Sequence, residues 1–531
     1  MKQVLGTVVE GSLSEGFSIR IHHDVSLEDV KTGKFITIVG AHHRFFSLIT
    51  DLKLETTNPD ILLFPPREDE TLLMKSLKRK HVYAVAHVKP MLMLNQFNHI
   101  VPVKTIPAHF SSAFDATNTD VELIFGAEEE RESRFFSIGC PLDMNTPVCI
   151  DLERLTERSN GIFGKTGTGK TFLTRLILAG LIKHKKAVNV IFDMHSEYGL
   201  QARQEGKNKN FVKGLKTLFP SEVAIFSLDP ESTRRRGGSP DVLVTISYQD
   251  IRVEDIMSLQ SELNLHLTAL EAAYLIVAKY KHDWLNVLLS HGENLKDFAE
   301  TVGAHPESIA ALYRKLKRIE RLPFFTPKPQ QHSVIDQMME YIDKGLNIVI
   351  EFGNHTSSFC YLLIANIITR RIHKIYVAKT EKFLGSQRLE DEPKKLMITI
   401  EEAHKFLNTQ AAQQTIFGVI AREMRKYYVS LLVVDQRPSG IDAEILSQIG
   451  TKIIAQLSDE RDIAAVLTGV NNASHLRGIL ASLDSKKQAL FLGHAMAMPV
   501  VVQTREYNEE FYSAMMMFSH KKMADAIEDI F

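Results

Sequence analysis

The chain has 531 residues, 44% hydrophobic and 24% charged, a globular composition that excludes wholesale disorder and leaves room for three or four domains. Its formal net charge is −1, so attraction to nucleic acid must come from local patches and not from a general basic field. The three cysteines, Cys140, Cys149 and Cys360, have no metal-ligand spacing, exclude a disulfide framework and fit a reducing compartment.

The opening "MKQVLGTVVEGSL" lacks an apolar core of signal-peptide length, and the longest apolar helical run, "FCYLLIANII" at 359–368, is too short for a bilayer. A soluble, cytoplasmic protein is expected. Residues 1–130 read mostly as strands: "KQVLGTVVEG", "SIRIHHDV", "KFITIVGA", "FFSLITDLKL", "HVYAVAHVKPMLML" and "VELIFGA" are short β-rich runs broken by Gly, Pro, Asn and Asp. They predict a small barrel or sandwich. The pairs His22–His23 and His42–His43 fall in these strand-like runs and read as surface or packing histidines. "GAEEERESR" then reads as a solvated linker.

From Phe135 the texture changes. "AVNVIFDM", "EVAIFSL", "LNIVIEF", "KLMITIEE", "VSLLVVDQR", "TKIIAQL" and "QALFLG" are compact apolar runs, several separated by helical periods. Strands buried on both faces with helices between them predict an α/β domain with a parallel sheet over 135–248 and 343–505. Residues 249–342 show helical periodicity and almost no strand, which predicts a helical insertion. The run 379–395 reads as an exposed, mobile connection, and 506–531 as one more amphipathic helix.

The chemistry concentrates in "NGIFGKTGTGKTFLTRLILAGL". Gly164, Gly169, Lys170 and Thr171 complete G-x-x-x-x-G-K-[ST]. Across Gly164, Lys165, Thr166, Gly167, Thr168 and Gly169, the glycines let successive backbone N–H groups turn toward one point at a helix N-terminus, which favours a di- or triphosphate. Lys170 then reaches the β- and γ-phosphates, the Thr171 hydroxyl ligates Mg²⁺, and Phe172 closes the nucleotide-binding segment. No Asn-Lys-x-Asp element is present, so ATP is the expected nucleotide.

"LMITIEEAHKF" is an apolar strand ending in adjacent carboxylates. Strand alternation sends neighbouring side chains to opposite sides, which assigns Glu401 to the metal and Glu402 to the attacking water. "VSLLVVDQRPSG" ends at Gln436, which is either a contact to the γ-phosphate or water, or a structural polar cap. For nucleic acid, "DPESTRRRGGSPD" offers Arg234, Arg235 and Arg236 in a mobile basic loop, with a plain solvated loop as the alternative. "QARQEGKNKNFVKGLK" is a second candidate through Arg203, Lys207, Lys209 and Lys213.

Taken together, "GIFGKTGTGKT", "VIFDMHSEYG", "ITIEEAHKF", "AREMRKYYVSLLVVDQRPS" and "LSDERDIAAVLTG" resemble the HerA ATPases, of the HerA–FtsK class of ring translocases. The match is most specific over 160–200 and 396–470. The resemblance implies a RecA-like core behind an N-terminal β-barrel, a homo-hexamer, and ATP-driven movement along double-stranded DNA. It also implies a partner nuclease such as NurA, or another effector, bound through the barrel in DNA end processing or defence against mobile DNA. A nucleotide-gated ring scaffold that recruits an effector, with little translocation, is the alternative. The resemblance places Asp193, His195 and Glu197 near the nucleotide, with Asp193 joining Thr171 and Glu401 on the metal side; a structural network is the alternative role for these three residues. It also puts the arginine supplied by a neighbouring subunit at Arg425, with Arg422 second. Two departures stand out: Glu401 where Asp is commoner, and Met194 and Ser196 where the pattern "DPHGEY" has Pro and Gly.

Overall fold

The computed structural model describes residues 4–63, 66, 76–77, 81–129, 134–203, 211–292, 294–470, 473–484 and 487–516. The chain divides into two units, residues 1–151 with 488–505 and residues 152–487 with 506–531. The first unit therefore takes both 135–151 and 488–505 from the segments expected to form the α/β core. The reason is pairing: strands Phe135–Pro141, Val148–Asp151, Gln488–Gly493 and Val500–Thr504 join as antiparallel neighbours.

In the first unit, strands Val4–Ser12, Gly16–Ile21, Phe35–Val39, Arg44–Thr56, Val82–Leu94 and Ser112–Asp115 form an antiparallel sheet. It closes into a barrel because Gly16–Ile21 pairs with Val82–Leu94, which removes the exposed edges an open sheet would present. Ile19, Ile36, Ile38, Ile49 and Ala86 fill its interior with no exposure, as period-two alternation requires. "VELIFGA" is not a strand. Its first five residues lie in helix Asn118–Phe125, started by a capping box in which Thr117 and Asp120 satisfy each other's amides. Val121, Ile124 and Phe125 then face inward at helical spacing. His22 and His23 are exposed just past a strand, each within 3.4 Å of Asp24.

The second unit is built on an eight-stranded parallel sheet. Its order is Val242–Leu243, Val223–Ser227, Asn347–Glu351, Val188–Asp193, Leu396–Glu401, Val429–Asp435, Asn160–Phe163, Thr451–Ile454. Strands 188–193, 396–401 and 429–435 are buried at every residue, which accounts for their unbroken apolar texture. Asp193, Glu351, Glu401 and Asp435 are each the last residue of a strand, so four carboxylates share the sheet's C-terminal edge. Strand 429–435 lies between the strand that precedes the glycine loop and the strand that carries Glu401.

Helices Leu267–Tyr280, Trp284–Ser290, Leu295–Val302 and Pro306–Leu316 occupy the expected insertion and bury Ile276, Trp284, Ile309 and Leu312. The apolar run at 359–368 belongs to a helix of 29 residues, Ser358–Ser386. The helix runs through 379–386, so the first half of the expected mobile connection is helical: Tyr376 and Thr380 are buried, and the helix stops only where Gln387 turns left-handed. Asn366 Nδ2 donates to Ser258 at 2.7 Å, and Arg370 pairs with Asp255, tying this helix to the insertion. Among the described residues no helix is long and apolar enough to cross a membrane. Residues 506–508 are not helical, 509–516 are, and 517–531 of the expected C-terminal helix lie outside the described residues.

Candidate nucleotide-binding site

Strand Asn160–Phe163 delivers the glycine loop to the carboxyl edge of the sheet. A Cβ on Gly164 would sit 2.7 Å from Thr168 Oγ1 and 2.9 Å from the Ala455 Cβ, so no larger residue fits there. Gly167 and Gly169 adopt φ of 78° and 90°, the left-handed region that side chains disfavour. Helix Lys170–Lys183 begins directly afterward with no side chain capping it, so its first-turn N–H groups are presented to an anion. Lys165 N donates to Gln456 O at 3.1 Å, and Lys170 Nζ lies 3.1 Å from the Lys165 carbonyl.

The Thr171 hydroxyl donates to Glu197 Oε2 at 2.8 Å. Glu197 is placed there by Asp193, whose carboxylate accepts the backbone N–H groups of Glu197, Tyr198 and Gly199 at 2.7, 2.8 and 3.2 Å. Both Asp193 oxygens are thus taken up in a turn, and the side chain has no exposure. Burial and the neighbouring Glu351 push its carboxyl up to about 6 against those three amides. The acid that meets the Thr171 hydroxyl is thus Glu197, and Asp193 serves the structural network that was its alternative role. Buried Arg175, from the loop's own helix, donates to the Glu197 carbonyl and fixes the turn from the other side. Ser196 stands at φ 57°, which explains why glycine suits that position. His195 is exposed.

Glu401 is buried. Its Oε1 accepts from the Tyr198 hydroxyl at 2.7 Å, and among the described residues its Oε2 has no hydrogen-bond partner. Burial first, then the negative charge of Asp193, raises its carboxyl to about 8. Tyr361 braces the same residue by main chain, accepting from Glu401 N at 3.0 Å and donating to Glu401 O at 3.1 Å. The strand ends here, so alternation does not orient Glu402. Glu402 instead takes φ 50° and turns out of the sheet. Its carboxylate accepts from Gln436 Nε2 at 3.2 and 3.3 Å, while Gln436 Oε1 accepts from Thr166 Oγ1 at 2.5 Å. The intervening strand makes this bridge possible, because Gln436 follows it between the glycine loop and the acids. His404 Nδ1 lies 3.0 Å from Asp435 and 3.6 Å from Glu402. Its bond to Asp435 raises the imidazole above its usual range.

The structure brings together Gly164–Thr171, Glu401, Glu402 and Gln436. Phe172 is half-buried with its ring 5.8 Å from that of Tyr507. Tyr198, His404 and Arg175 were missed in the sequence, although the first two adjoin acids in "HSEYG" and "EEAH". Arg422 is engaged within its own chain, donating to Ala412 O at 3.1 Å, and the Arg425 side chain lies outside those described. Arg234 to Arg236 are not in a mobile loop. Pro230–Arg235 is a helix capped by Asp229, and Arg236 pairs at 2.6 Å with the fully buried Glu351. Arg234 and Arg235 remain exposed. Of the second basic candidate, Lys213 pairs with Glu509 at 3.4 Å; Lys207, Lys209 and the Arg203 side chain lie outside those described.

Arg236→Ala leaves Glu351 buried without its counter-charge and is expected to cost about 2–3 kcal/mol in urea unfolding. Arg234→Ala, with no such partner to strand, should stay within about 0.5 kcal/mol. Equal effects would remove the ion pair from this account.

Thr171, Glu197 and the unpartnered Glu401 Oε2 are hard oxygen donors of the kind Mg²⁺ selects. The fold and this site define a P-loop nucleoside triphosphatase with a RecA-like core and an N-terminal β-barrel. The family described as "Helicase HerA, central domain" matches residues 136–372. The "Probable DNA double-strand break repair helicase HerA" of Methanocaldococcus jannaschii is 33% identical over 392 residues, covering 68% of this chain and 75% of that protein. The DNA double-strand break repair helicase HerA of Sulfurisphaera tokodaii is 25% identical over 522 residues, covering 95% and 93%. Among solved structures, VirB4 of Thermoanaerobacter pseudethanolicus superposes with a TM-score of 0.46 at 15% identity, covering 70% of this chain and 96% of that one. The chain belongs to the HerA family and is an ATP-hydrolysing enzyme.

Proposed function

We propose that the protein is an ATP-driven translocase on double-stranded DNA, working as a ring of six copies. The observation that carries this reading is the line Thr166–Gln436–Glu402, which joins the phosphate loop to the carboxylate best placed to orient water. Lys170 exchanges the Lys165 carbonyl for phosphate oxygens, and the amides of Gly164–Thr171 hold the rest of the triphosphate. Mg²⁺, held by Thr171, Glu197 and Glu401, would supply charge neutralisation on the β- and γ-phosphates. Glu402 accepts the proton of the attacking water, and Gln436 reports phosphate occupancy to it. A neighbour's arginine completes the site; the bond of Arg422 to its own chain favours Arg425. Exposed Arg234 and Arg235 contact DNA phosphates without reading bases. A nuclease or other effector docks on the barrel, for end processing or defence against mobile DNA.

The test is ATP turnover with and without duplex DNA. Wild type should be stimulated, and Lys170→Ala should lose about 100-fold or more of the stimulated rate. Turnover in wild type that ignores DNA would instead favour a nucleotide-gated scaffold.

A further inference from the structure

At the opposite edge of the core sheet from the glycine loop, a cavity of about 320 Å³ opens between the end of helix Lys170–Lys183 and the starts of several strands. Its wall carries Lys185, Lys186, Lys344, Lys394 and Lys395, against one carboxylate, Glu222. Two of the lysines are committed: Lys186 Nζ lies 2.8 Å from Glu153, and Lys395 Nζ donates to Thr156 Oγ1 at 3.2 Å. Glu222 accepts from Ser221 Oγ at 2.8 Å. Lys185, Lys344 and Lys394 are exposed, and among the described residues none has a carboxylate within ion-pair distance.

Helix dipoles explain only part of this. Lys344 ends helix Val334–Lys344 and complements its negative terminus. Lys394 precedes a strand, so no helix end calls for it. Lys185 stands at φ 50°, a left-handed position where glycine or asparagine would be cheaper. A Cβ on Gly345 would lie 3.1 Å from Lys394 Nζ, so the ammonium group rests against bare backbone at the cavity wall. Like charges converging on a concavity repel one another, and a bound anion relieves that cost.

The lining also identifies the anion. It has no aromatic ring to stack a base and no arginine fork. Its amide side chain, Asn347, is committed to Asn189 and to the Glu222 carbonyl. What remains is point charge on flexible stems, which suits a chain of phosphodiesters taken without regard to sequence. We propose that this lysine cavity is a backbone contact for nucleic acid. The assignment rests on the DNA reading above and places a contact at a part of the core that reading does not use.

The test is duplex binding by the full chain from about 50 to 300 mM salt, wild type against the triple variant Lys185→Gln, Lys344→Gln, Lys394→Gln. The slope of log affinity against log salt should fall by about 2–3 and low-salt affinity by about tenfold or more, equally for unrelated sequences. Turnover without DNA should be unchanged, and the corresponding triple Lys→Arg variant should retain binding. A triple Gln variant with the wild-type slope overturns the assignment. So does one that keeps DNA affinity but loses calorimetric binding of tripolyphosphate, which would make a free polyphosphate the ligand. Wild type that fails to bind duplex sinks the translocase reading itself, a result distinct from a failure of this contact alone.

Discussion

Replacing Glu402 with glutamine should lower ATP turnover by about 100- to 1,000-fold and leave nucleotide affinity within about threefold. Glutamine preserves the size of the side chain but cannot take a proton from water. Glu402 sits beyond the strand end, and its link to Thr166 of the glycine loop runs through Gln436. Binding groups are therefore spared while the water loses its acceptor. Gln436→Ala should cost less, about tenfold, because it removes the link and keeps the carboxylate. The double variant should match Glu402→Gln alone, since the amide has nothing left to position. Steady-state turnover and equilibrium binding of a nucleotide analogue check all three. A Glu402→Gln protein within tenfold of wild type would move the water-activating role elsewhere.

Glu401→Gln should have effects of opposite sign on stability and on activity. In the folded, metal-free protein the Glu401 carboxyl is raised to about 8 by burial, whereas in the unfolded chain it titrates in the ordinary glutamate range. Between those two values the folded state holds a proton that the unfolded state has released, so stability falls as pH rises through that window. Glutamine keeps an acceptor for the Tyr198 hydroxyl and never carries the charge. The variant should therefore gain on wild type steadily from pH 5 to 8, reaching about 2 kcal/mol once relaxation of the site is allowed for. Asp193 titrates in both proteins and largely cancels in the difference. Turnover in the same variant should drop about 100-fold, because the metal side loses its anionic oxygen. Urea melts at several pH values without Mg²⁺ or nucleotide provide the test; parallel curves would contradict a buried, proton-holding Glu401.

Much of this site was legible in the sequence because short-range chemistry dictates it. The spacing of Gly164, Gly169, Lys170 and Thr171 is a local requirement of phosphate binding, and an apolar run ending in Glu401 and Glu402 marks a strand end. What escaped depends on partners far along the chain. Arg236 looks like one of three equivalent arginines until Glu351, 115 residues away, claims it. Gln436 meets Thr166 across 270 residues, and only the strand order reveals that. Backbone conformation was hidden too: nothing in "IEEAH" shows that Glu402 leaves the strand with a positive φ. "VELIFGA" misled because its β-branched residues suggest a strand while its cap, Thr117, lies outside the run. Likewise, the role of Asp193 as the holder of a turn becomes visible only when its three amide donors are seen.

The helix Ser358–Ser386 fastens two parts of the unit together. Near its start Tyr361 grips the main chain of Glu401, and further along Asn366 and Arg370 hold the insertion through Ser258 and Asp255. The helix is continuous over its 29 residues, about 43 Å, and both attachments lie in its first half. Those attachments fall within one stretch of nine residue steps, about 13 Å of helix, so the residue that ends the acidic strand and the insertion are fastened to the same rigid segment.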